Sequence, residues 1–339
     1  MKILVIGGTQ FVGRAMAQAA LERGHDVTLF NRGKTGADLF ATGKLTAEKI
    51  IGDRDGGLDV LEGRSWDAVI DSCGYYPRLV RDSAQKLKDS VGIYAFISTI
   101  SVYSDNSKVG TAENDLMSRD VGDPTVEEMT GETYGPFKAL CEDEVLAVFP
   151  NRHVVIRPGL VTGPNDHTNR FGYWPARIAK GGDVLIPGSP DRQLQHIDAR
   201  DLAAFTLHCI EHEIIGDFNA TGPDAIQTMG ELVSACLDAS GSRANPIYVD
   251  ETFLLENEVQ PWSELPFWIP TTDPQMAGFF TFNTQKAIDA GLTFRPLGET
   301  VRDALVYENE RAQAADFHNW SANLSPQKES ELLEKWASR

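Results

Sequence analysis

A tyrosine and a lysine four residues apart, Tyr134 and Lys138, have the types and spacing that acid–base chemistry requires. The apolar residues that follow recur with helical spacing, so a helix beginning near Pro136 carries both side chains on one face. A phenol has a reference pKa of about 10, and a neighbouring ammonium group favours its ionised form. With the hydroxyl of Thr99, the pair suits proton transfer coupled to hydride transfer, with Tyr134 as general acid/base. The alternative is a solvated helix face, so the surrounding elements must decide.

Residues 1–13 predict the cofactor that such chemistry requires. An apolar strand at 3–6 leads into a glycine turn, and helical spacing resumes at 11–21. Glycines let the backbone approach a pyrophosphate, and a helix N-terminus offers free N–H groups. A connection that binds nothing is the alternative. The candidate dinucleotide-binding residues of the turn are Gly7, Gly8, Thr9, Gln10, Phe11, Val12 and Gly13.

The second predicted strand, 25–30, ends in Asn31, Arg32 and Lys34 rather than in a carboxylate. A carboxylate at this place would bind the ribose 2′-hydroxyl of NAD. Two cations without an acid suit a 2′-phosphate, so the sequence favours NADP over NAD as cofactor. The alternative is that both cations are solvated loop residues.

Strands and helices alternate through the N-terminal half, which indicates a parallel sheet with right-handed crossovers. Ligands of such sheets bind beyond the carboxyl ends of the strands. Asp53 follows a third strand, where it could meet the adenine. The other cofactor candidates are Cys73, Gly74, Ser98, Tyr134, Lys138 and Pro158. The predicted strands are 25–30, 49–52, 66–71, 93–97, 153–157 and 217–220, and the predicted helices are 77–90 and 199–211.

The remaining segments show weaker patterns. Residues 104–132 predict a long loop, and 165–190, rich in glycine, proline and aromatic residues, predict irregular structure. The tail after residue 318 is polar and predicts nothing specific. Beyond residue 222 the periodicity predicts helices at 228–239, 284–290 and 298–315 and a strand at 246–250.

Composition limits the partners. The chain has 339 residues, 42% of them apolar, and a net charge of −18. Such an acidic surface repels nucleic acid and anionic membrane, so we expect neither as a partner. No apolar run approaches the ~20 residues that span a bilayer, and no signal peptide is predicted. Four scattered cysteines favour free thiols in the reducing cytoplasm, without a metal site or a disulfide framework.

Together these motifs resemble the extended short-chain dehydrogenase/reductases, the NAD(P)-dependent epimerase/dehydratase group. The resemblance runs to about residue 315 and is carried by GGTQFVG, STISVY, YGPFK, RPGLVTGP and QHIDARDLA. It implies a doubly wound α/β Rossmann domain, residues 1–164 and 191–222, and a smaller α/β substrate domain, residues 165–190 and 223–339. It also implies Thr99, Tyr134 and Lys138 as catalytic hydroxyl, acid/base and activating lysine. Members commonly form homodimers through two helices that include the Tyr/Lys helix.

Three departures from the family pattern bear on function. Gln10 replaces the middle glycine, a form that resembles a subgroup with chloroplast stem-loop RNA-binding proteins and bacterial epimerase-like proteins. Ile100 and Ser101 stand where the dehydratases carry Asp and Glu, so a dehydration would lack its acid and base. Leu160 stands where sugar-nucleotide epimerases usually carry an Asn, which removes a phosphate contact.

Four further side chains are candidates for contact with a substrate. Tyr75 and Ser101 follow predicted strands near the expected nicotinamide pocket. By resemblance Arg192 could bind a diphosphate, with a surface ion pair as the equal alternative. His196 favours a structural, hydrogen-bonded role over a catalytic one. The aromatic residues Trp262, Phe267 and Trp268 could close over a substrate or pack the core of the small domain.

These observations predict an NAD(P)-dependent epimerase or oxidoreductase acting on a sugar-like alcohol or ketone. An NADPH-dependent carbonyl reductase of a small molecule is the first alternative. A nucleotide-binding protein that binds or regulates RNA is an alternative of another class, against which the net charge of −18 weighs.

Overall fold

The computed structural model describes residues 1–123, 126–313 and 323–339. Its strands are β1 (Lys2–Ile6), β2 (Asp26–Asn31), β3 (Glu48–Ile51), β4 (Trp66–Asp71), β5 (Val91–Ile97), β6 (His153–Pro158), β7 (Leu160–Thr162), β8 (Asp183–Pro187), β9 (Gln193–Leu194), β10 (His196–Asp198), β11 (Gly216–Ala220), β12 (Gln227–Thr228) and β13 (Asn245–Val249). Its α-helices are α1 (Phe11–Glu22), α2 (Pro77–Leu87), α3 (Tyr134–Val148), α4 (Tyr173–Ala179), α5 (Ala199–Glu211), α6 (Met229–Ser240), α7 (Glu251–Glu256), α8 (Gln285–Asp289), α9 (Leu297–Ala312) and α10 (Pro326–Ala337).

Seven parallel strands form the central sheet in the order β11-β6-β5-β4-β1-β2-β3. The chain starts in the middle, at β1, and winds outward in both directions. This confirms the predicted doubly wound α/β fold. The strand order reverses between β1 and β4, and ligands of such sheets bind at this switch point.

Strand β1 shows why the N-terminal apolar run folds as it does. Ile3 and Val5 pack into the hydrophobic cluster that contains α1 and α5 side chains. Leu4 and Ile6 face the opposite side of the sheet, against side chains of α2 and α3. All four are at most 1% exposed. A parallel strand covered on both faces needs a continuous apolar run, and this one has it.

A third hydrophobic cluster lies in the C-terminal part, around the fully buried Trp174 and Trp268. The predicted irregular structure of 165–190 is wrong, because this segment contains α4 and β8. Both are short elements whose residues are largely buried in this cluster, and β8 pairs with β13. Tertiary packing, rather than local periodicity, therefore defines them.

The other differences lie mainly at element ends and in the tail. The helix predicted at 77–90 ends at Leu87, and the helix predicted at 298–315 ends at Ala312, with 314–315 outside the described residues. The tail forms α10, capped by the Ser325 side chain, which accepts from the Lys328 N–H. The two-domain boundaries stay a prediction. No helix in the described ranges is long and apolar enough to cross a bilayer.

Candidate active site

A cleft of about 670 Å³ opens along the carboxyl ends of β1, β2, β4 and β5. The structure brings most of the predicted site residues to it. Those that line it are Gly7, Gly8, Thr9, Gln10, Phe11, Val12, Gly13, Asn31, Arg32, Lys34, Asp53, Cys73, Tyr75, Ser98, Thr99, Ser101, Tyr134, Lys138 and Pro158.

The glycine turn has a shape that side chains would fill. Gly7 has φ +102°, a conformation that residues with a Cβ rarely adopt. A Cβ on Gly13 would lie 2.9 Å from the Gly8 nitrogen and 2.7 Å from the Ser72 Oγ. The backbone of β1 and the start of α1 can therefore approach each other, and a ligand, only because these positions are glycine.

The N-terminus of α1 suits the pyrophosphate of a dinucleotide. Gln10 precedes the helix with extended backbone, and its side chain makes no capping hydrogen bond. The first turn carries no acidic residue. The N–H groups of this turn therefore face the cleft without a competing anion from the helix itself. Gln10 in place of the usual glycine leaves this geometry intact, so the residues present fit a dinucleotide.

The adenosine end of the cleft shows a division of roles. The Asn31 side chain donates to the Gly7 carbonyl at 3.0 Å and accepts from the Gly33 N–H at 2.9 Å, so it braces the turn. Arg32 and Lys34 are exposed at the rim. Asp53 lines the cleft while one carboxylate oxygen accepts from the Asp55 N–H.

Beneath this end lies a buried charge network that the sequence analysis missed. Arg54 donates to both carboxylate oxygens of Asp71, at 3.0 and 2.9 Å, and Tyr94 donates to the same carboxylate at 2.8 Å. Burial alone would raise the pKa of Asp71, but the charge and hydrogen bonds of Arg54 hold it below its usual value. Burial raises the pKa of the neighbouring Cys73 thiol to about 11, so this cysteine is not an ionised nucleophile at neutral pH.

Tyr134 and Thr99 meet at the centre of the cleft. Burial raises the pKa of the Tyr134 phenol; its hydrogen bond with Thr99 and the positive charge of Arg170 act in the opposite direction. Thr99 also accepts from the Ser101 N–H at 3.1 Å and donates to the Ser101 hydroxyl at 3.2 Å. The start of α3 thus supplies a protonated phenol, and the end of β5 supplies a fixed hydroxyl beside it.

Lys138 lies one turn below Tyr134 on α3 and is almost fully buried. Its Nζ donates to the carbonyls of Gly74, at 2.6 Å, and Ile97, at 2.7 Å, and stands 4.0 Å from the centroid of the Phe96 ring. Desolvation lowers the pKa of this ammonium group. Gly74 contributes its carbonyl to Lys138 and does not itself line the cleft.

The Ser98 hydroxyl, also at the end of β5, donates to the buried carboxylate of Glu142. Arg157 holds that carboxylate from the other side, with Nη2 2.6 Å from Oε2. Pro158, the next residue, lines the cleft. Ser98 and Arg157 therefore fix strand ends and helix α3 relative to one another.

Two of the predicted substrate contacts lie outside the cleft. Burial lowers the pKa of His196 to about 4, and its ring nitrogens lie 3.0 Å from the Thr162 hydroxyl and 2.6 Å from the Gln227 amide oxygen. Burial likewise lowers the pKa of Arg192 to about 10, and its guanidinium donates to the Phe267 carbonyl. Both side chains are therefore buried and hydrogen-bonded outside the cleft.

The other end of the cleft is lined by residues from two distant segments. His167, Thr168 and Arg170 come from the loop between β7 and α4, and Phe279 comes from the segment before α8. Trp262 also lines the cleft and packs edge-on against Phe279 at 5.7 Å between ring centroids. Phe267 and Trp268, by contrast, are core residues with no exposed surface. The one sequence signal for this end was the density of aromatic residues around 260–270.

Comparison with known proteins agrees with this geometry. The model of the NAD dependent epimerase/dehydratase family matches residues 3–220, and the chain belongs to that family. The epimerase family protein SDR39U1 of Bos taurus is 28% identical over 261 residues, 72% of this chain and 82% of that protein. The chloroplast stem-loop binding protein of 41 kDa b of Arabidopsis thaliana is 27% identical over 257 residues, 71% of this chain and 63% of that protein.

Solved structures share the fold at low identity. UDP-glucuronic acid 4-epimerase from Bacillus cereus, in complex with NAD, has a TM-score of 0.65 and 17% identity, covering 91% of this chain and 99% of that chain. The Bordetella bronchiseptica enzyme WbmH, in complex with NAD+, has a TM-score of 0.67 and 17% identity, covering 91% and 98%. The likeness extends beyond the dinucleotide-binding half to nearly the whole chain.

Proposed function

We propose that this chain is an NAD(P)-dependent epimerase or oxidoreductase acting on a sugar or sugar-nucleotide-like alcohol or ketone. The observation that carries the proposal is the meeting of Thr99, Tyr134 and the glycine turn in one cleft, with Lys138 beneath them. Packing of the fold does not require Thr99 and Tyr134 to lie together beside a dinucleotide-binding turn, whereas hydride transfer coupled to proton transfer does. Solved proteins of this fold that are named as UDP-sugar 4-epimerases support a sugar-like substrate.

When bound, the nicotinamide supplies the acceptor or donor of the hydride. Tyr134 takes the proton from the substrate hydroxyl as the carbon is oxidised and returns it as the carbonyl is reduced. Its raised pKa favours the protonated phenol, which suits donation to a carbonyl. Taking a proton from a substrate hydroxyl requires the phenolate, which the positive charge of a bound oxidised nicotinamide would favour. Thr99 holds the reacting oxygen by a hydrogen bond. Lys138 places a positive charge on the same face of α3.

The cofactor is proposed to be NADP. Arg32 and Lys34 stand at the rim beyond β2, where a carboxylate would select the ribose hydroxyl of NAD. Both side chains are exposed and can turn toward a 2′-phosphate.

Epimerase and reductase differ in how they treat the cofactor. An epimerase keeps it bound, because the same hydride returns to the substrate, whereas a reductase releases it in each cycle. Native mass spectrometry of the purified chain separates them. Retained oxidised dinucleotide supports the epimerase; an empty chain that consumes NADPH in proportion to a carbonyl substrate supports the reductase.

An RNA-binding role is the alternative that the likeness to a stem-loop binding protein raises. The net charge of −18 opposes it. Retardation of RNA in a gel at physiological salt, with no turnover of any carbonyl or alcohol, would favour this alternative over the enzyme.

The substitution that tests the proposal is Tyr134→Phe, with Tyr248→Phe as a matched control outside the cleft. Removing the phenolic hydroxyl is expected to lower kcat by roughly 10²–10⁴-fold, the usual contribution of general acid–base catalysis, and to leave dinucleotide affinity unchanged. The control should keep wild-type turnover. Full activity of Tyr134→Phe would exclude the proposed mechanism.

A further inference from the structure

Arg170 brings a positive charge to the part of the cleft that is lined by the loop between β7 and α4. It lies in the loop between β7 and α4 and lines the cleft together with Thr99 and Tyr134. Within the described ranges, its guanidinium makes one hydrogen bond, from Nε to the Thr168 hydroxyl, and no ion pair with a carboxylate. Its two terminal nitrogens are thus available to a ligand.

The two buried arginines nearest the cleft behave differently. Arg54 is neutralised by Asp71 at 2.9 Å, and Arg157 by Glu142 at 2.6 Å. Both are almost fully buried and hold the framework together. Arg170 is only partly buried and has no carboxylate partner in the part of the chain that the structure describes, so no ion pair within those residues explains its charge.

The loop holds the Arg170 side chain in a defined orientation. The buried carboxylate of Asp166 accepts from the Thr168 N–H at 2.9 Å and from the Thr168 hydroxyl at 2.5 Å. The same hydroxyl oxygen accepts from Arg170 Nε at 2.9 Å. This series of hydrogen bonds fixes Nε of the guanidinium and leaves its two terminal nitrogens, the outer fork, open. An open guanidinium fork matches the paired oxygens of a carboxylate or a phosphate.

Arg170 acts close to the reacting centre. Burial raises the pKa of the Tyr134 phenol, whereas the hydrogen bond with Thr99 and then the charge of Arg170 lower it. Because Arg170 lines the same cleft as Thr99 and Tyr134, an anion bound by its outer fork would belong to the ligand that reaches these two side chains.

The charge distribution of the cleft also favours an anionic ligand. Among the described residues its lining contains one carboxylate, Asp53, and five lysine or arginine side chains, of which Arg54 is paired with the buried Asp71; the other four are Arg32, Lys34, Lys138 and Arg170. The whole chain, by contrast, has a net charge of −18. A positive cleft in an acidic protein concentrates anionic ligands. The phosphates of a dinucleotide account for the adenosine end but not for Arg170.

We propose that the substrate carries an oxyanion group, a carboxylate or a phosphate, on the moiety that is oxidised or reduced, and that the outer fork of Arg170 binds this group. The proposal rests on the proposed function and narrows its substrate class.

The test is calorimetric titration of the full chain, saturated with NAD or NADP, at fixed ionic strength. The probes are glucose, glucuronate and glucose 6-phosphate, which share a ring and differ in the anionic group. The variants are Arg170→Gln, Arg170→Lys and the control Arg81→Gln, an exposed arginine on α2 outside the cleft.

We expect wild type and Arg81→Gln to bind glucuronate or glucose 6-phosphate at least ~10-fold more tightly than glucose, the effect of one charge-assisted bidentate contact. Arg170→Gln should lose this preference and Arg170→Lys should keep part of it. Preference for glucuronate identifies a carboxylate, and preference for glucose 6-phosphate identifies a phosphate.

Equal binding of the anionic probes by wild type and Arg170→Gln, including no binding by either, overturns the proposal. A loss of dinucleotide affinity in Arg170→Gln also overturns it, because Arg170 would then contact the cofactor. Both results leave the Tyr134→Phe test untouched, whereas failure of any dinucleotide to bind rejects the proposed function itself.

Discussion

The two ends of the cleft are built in different ways. At the dinucleotide end, consecutive residues of one turn supply backbone groups, and Gly7 and Gly13 provide the space. At the substrate end, side chains such as Arg170, Trp262 and Phe279 come from segments about a hundred residues apart. The first end is a property of the sheet and its first turn. The second depends on how the C-terminal part packs, so it can vary while the fold is kept.

The largest effect should come from Lys138, which lies between the two ends. In Lys138→Met the carbonyls of Gly74 and Ile97 lose their donor, and the acid–base pair loses its charge. We expect turnover to fall by roughly 10²–10⁴-fold. Steady-state kinetics measures it, with the exposed Lys180→Met as control. Wild-type kcat in Lys138→Met would show that the lysine is structural.

The next effect concerns the C-terminal packing rather than the cleft. An unfolded histidine takes up a proton below its ordinary pKa of 6.5, whereas burial holds the pKa of His196 at about 4. The free energy of unfolding should therefore fall as the pH drops from 7 to 4, by on the order of 3 kcal/mol at most from this residue.

Denaturant unfolding at several pH values checks this prediction. His196→Gln should flatten the pH dependence without changing dinucleotide affinity, and the exposed His212→Gln should leave the pH dependence as it is in wild type. An unchanged slope in His196→Gln would mean that other groups dominate acid destabilisation.

Gly13→Ala tests the dinucleotide end alone. Its methyl group would meet the Gly8 nitrogen at 2.9 Å. The turn can relieve this overlap only by moving out of the shape that approaches a pyrophosphate. Keeping that shape costs about 1–3 kcal/mol, so we expect roughly 10–100-fold weaker dinucleotide binding. Gly131→Ala, where a Cβ meets no atom within 4 Å, is the matched control. Unchanged affinity in Gly13→Ala would place the cofactor elsewhere.

The smallest effect is expected at the rim. Lys34→Gln should weaken NADPH binding about tenfold and leave NADH binding unchanged, because a charged hydrogen bond to the 2′-phosphate is lost. The exposed Lys44→Gln serves as control in the same fluorescence titration. Equal losses for NADPH and NADH would indicate a general electrostatic effect rather than recognition of the 2′-phosphate.

The contrast between the two ends also explains what the sequence could predict. The run at 3–6 is apolar at every position, and the glycine spacing after it follows from close backbone approach, so sheet and turn were predictable. Asn31 was predicted as a cofactor contact, but the pattern could not show that its amide braces Gly7. The structure places Asn31 at the end of β2 and in the lining of the cleft, and its contact with a cofactor stays a prediction.

Arg170 and α4 mark the limit of sequence reasoning. The segment around them is rich in glycine and aromatic residues, and its helix is only seven residues long. Its structure depends on burial of Trp174 in a cluster that also draws residues from 229–268 and 301–332, far away in the sequence. Likewise Arg54 gives no local signal, because its partner Asp71 is 17 positions away. Long-range pairs of this kind need the fold before they can be recognised.

The central claim is that this cleft binds a dinucleotide beside Tyr134. Its most direct test is calorimetric titration of the full chain, freed of retained cofactor, with NAD, NADH, NADP and NADPH in turn. The account predicts one dinucleotide per chain, with NADPH bound more tightly than NADH and with weaker binding in Gly13→Ala. Absence of binding by all four dinucleotides would contradict it.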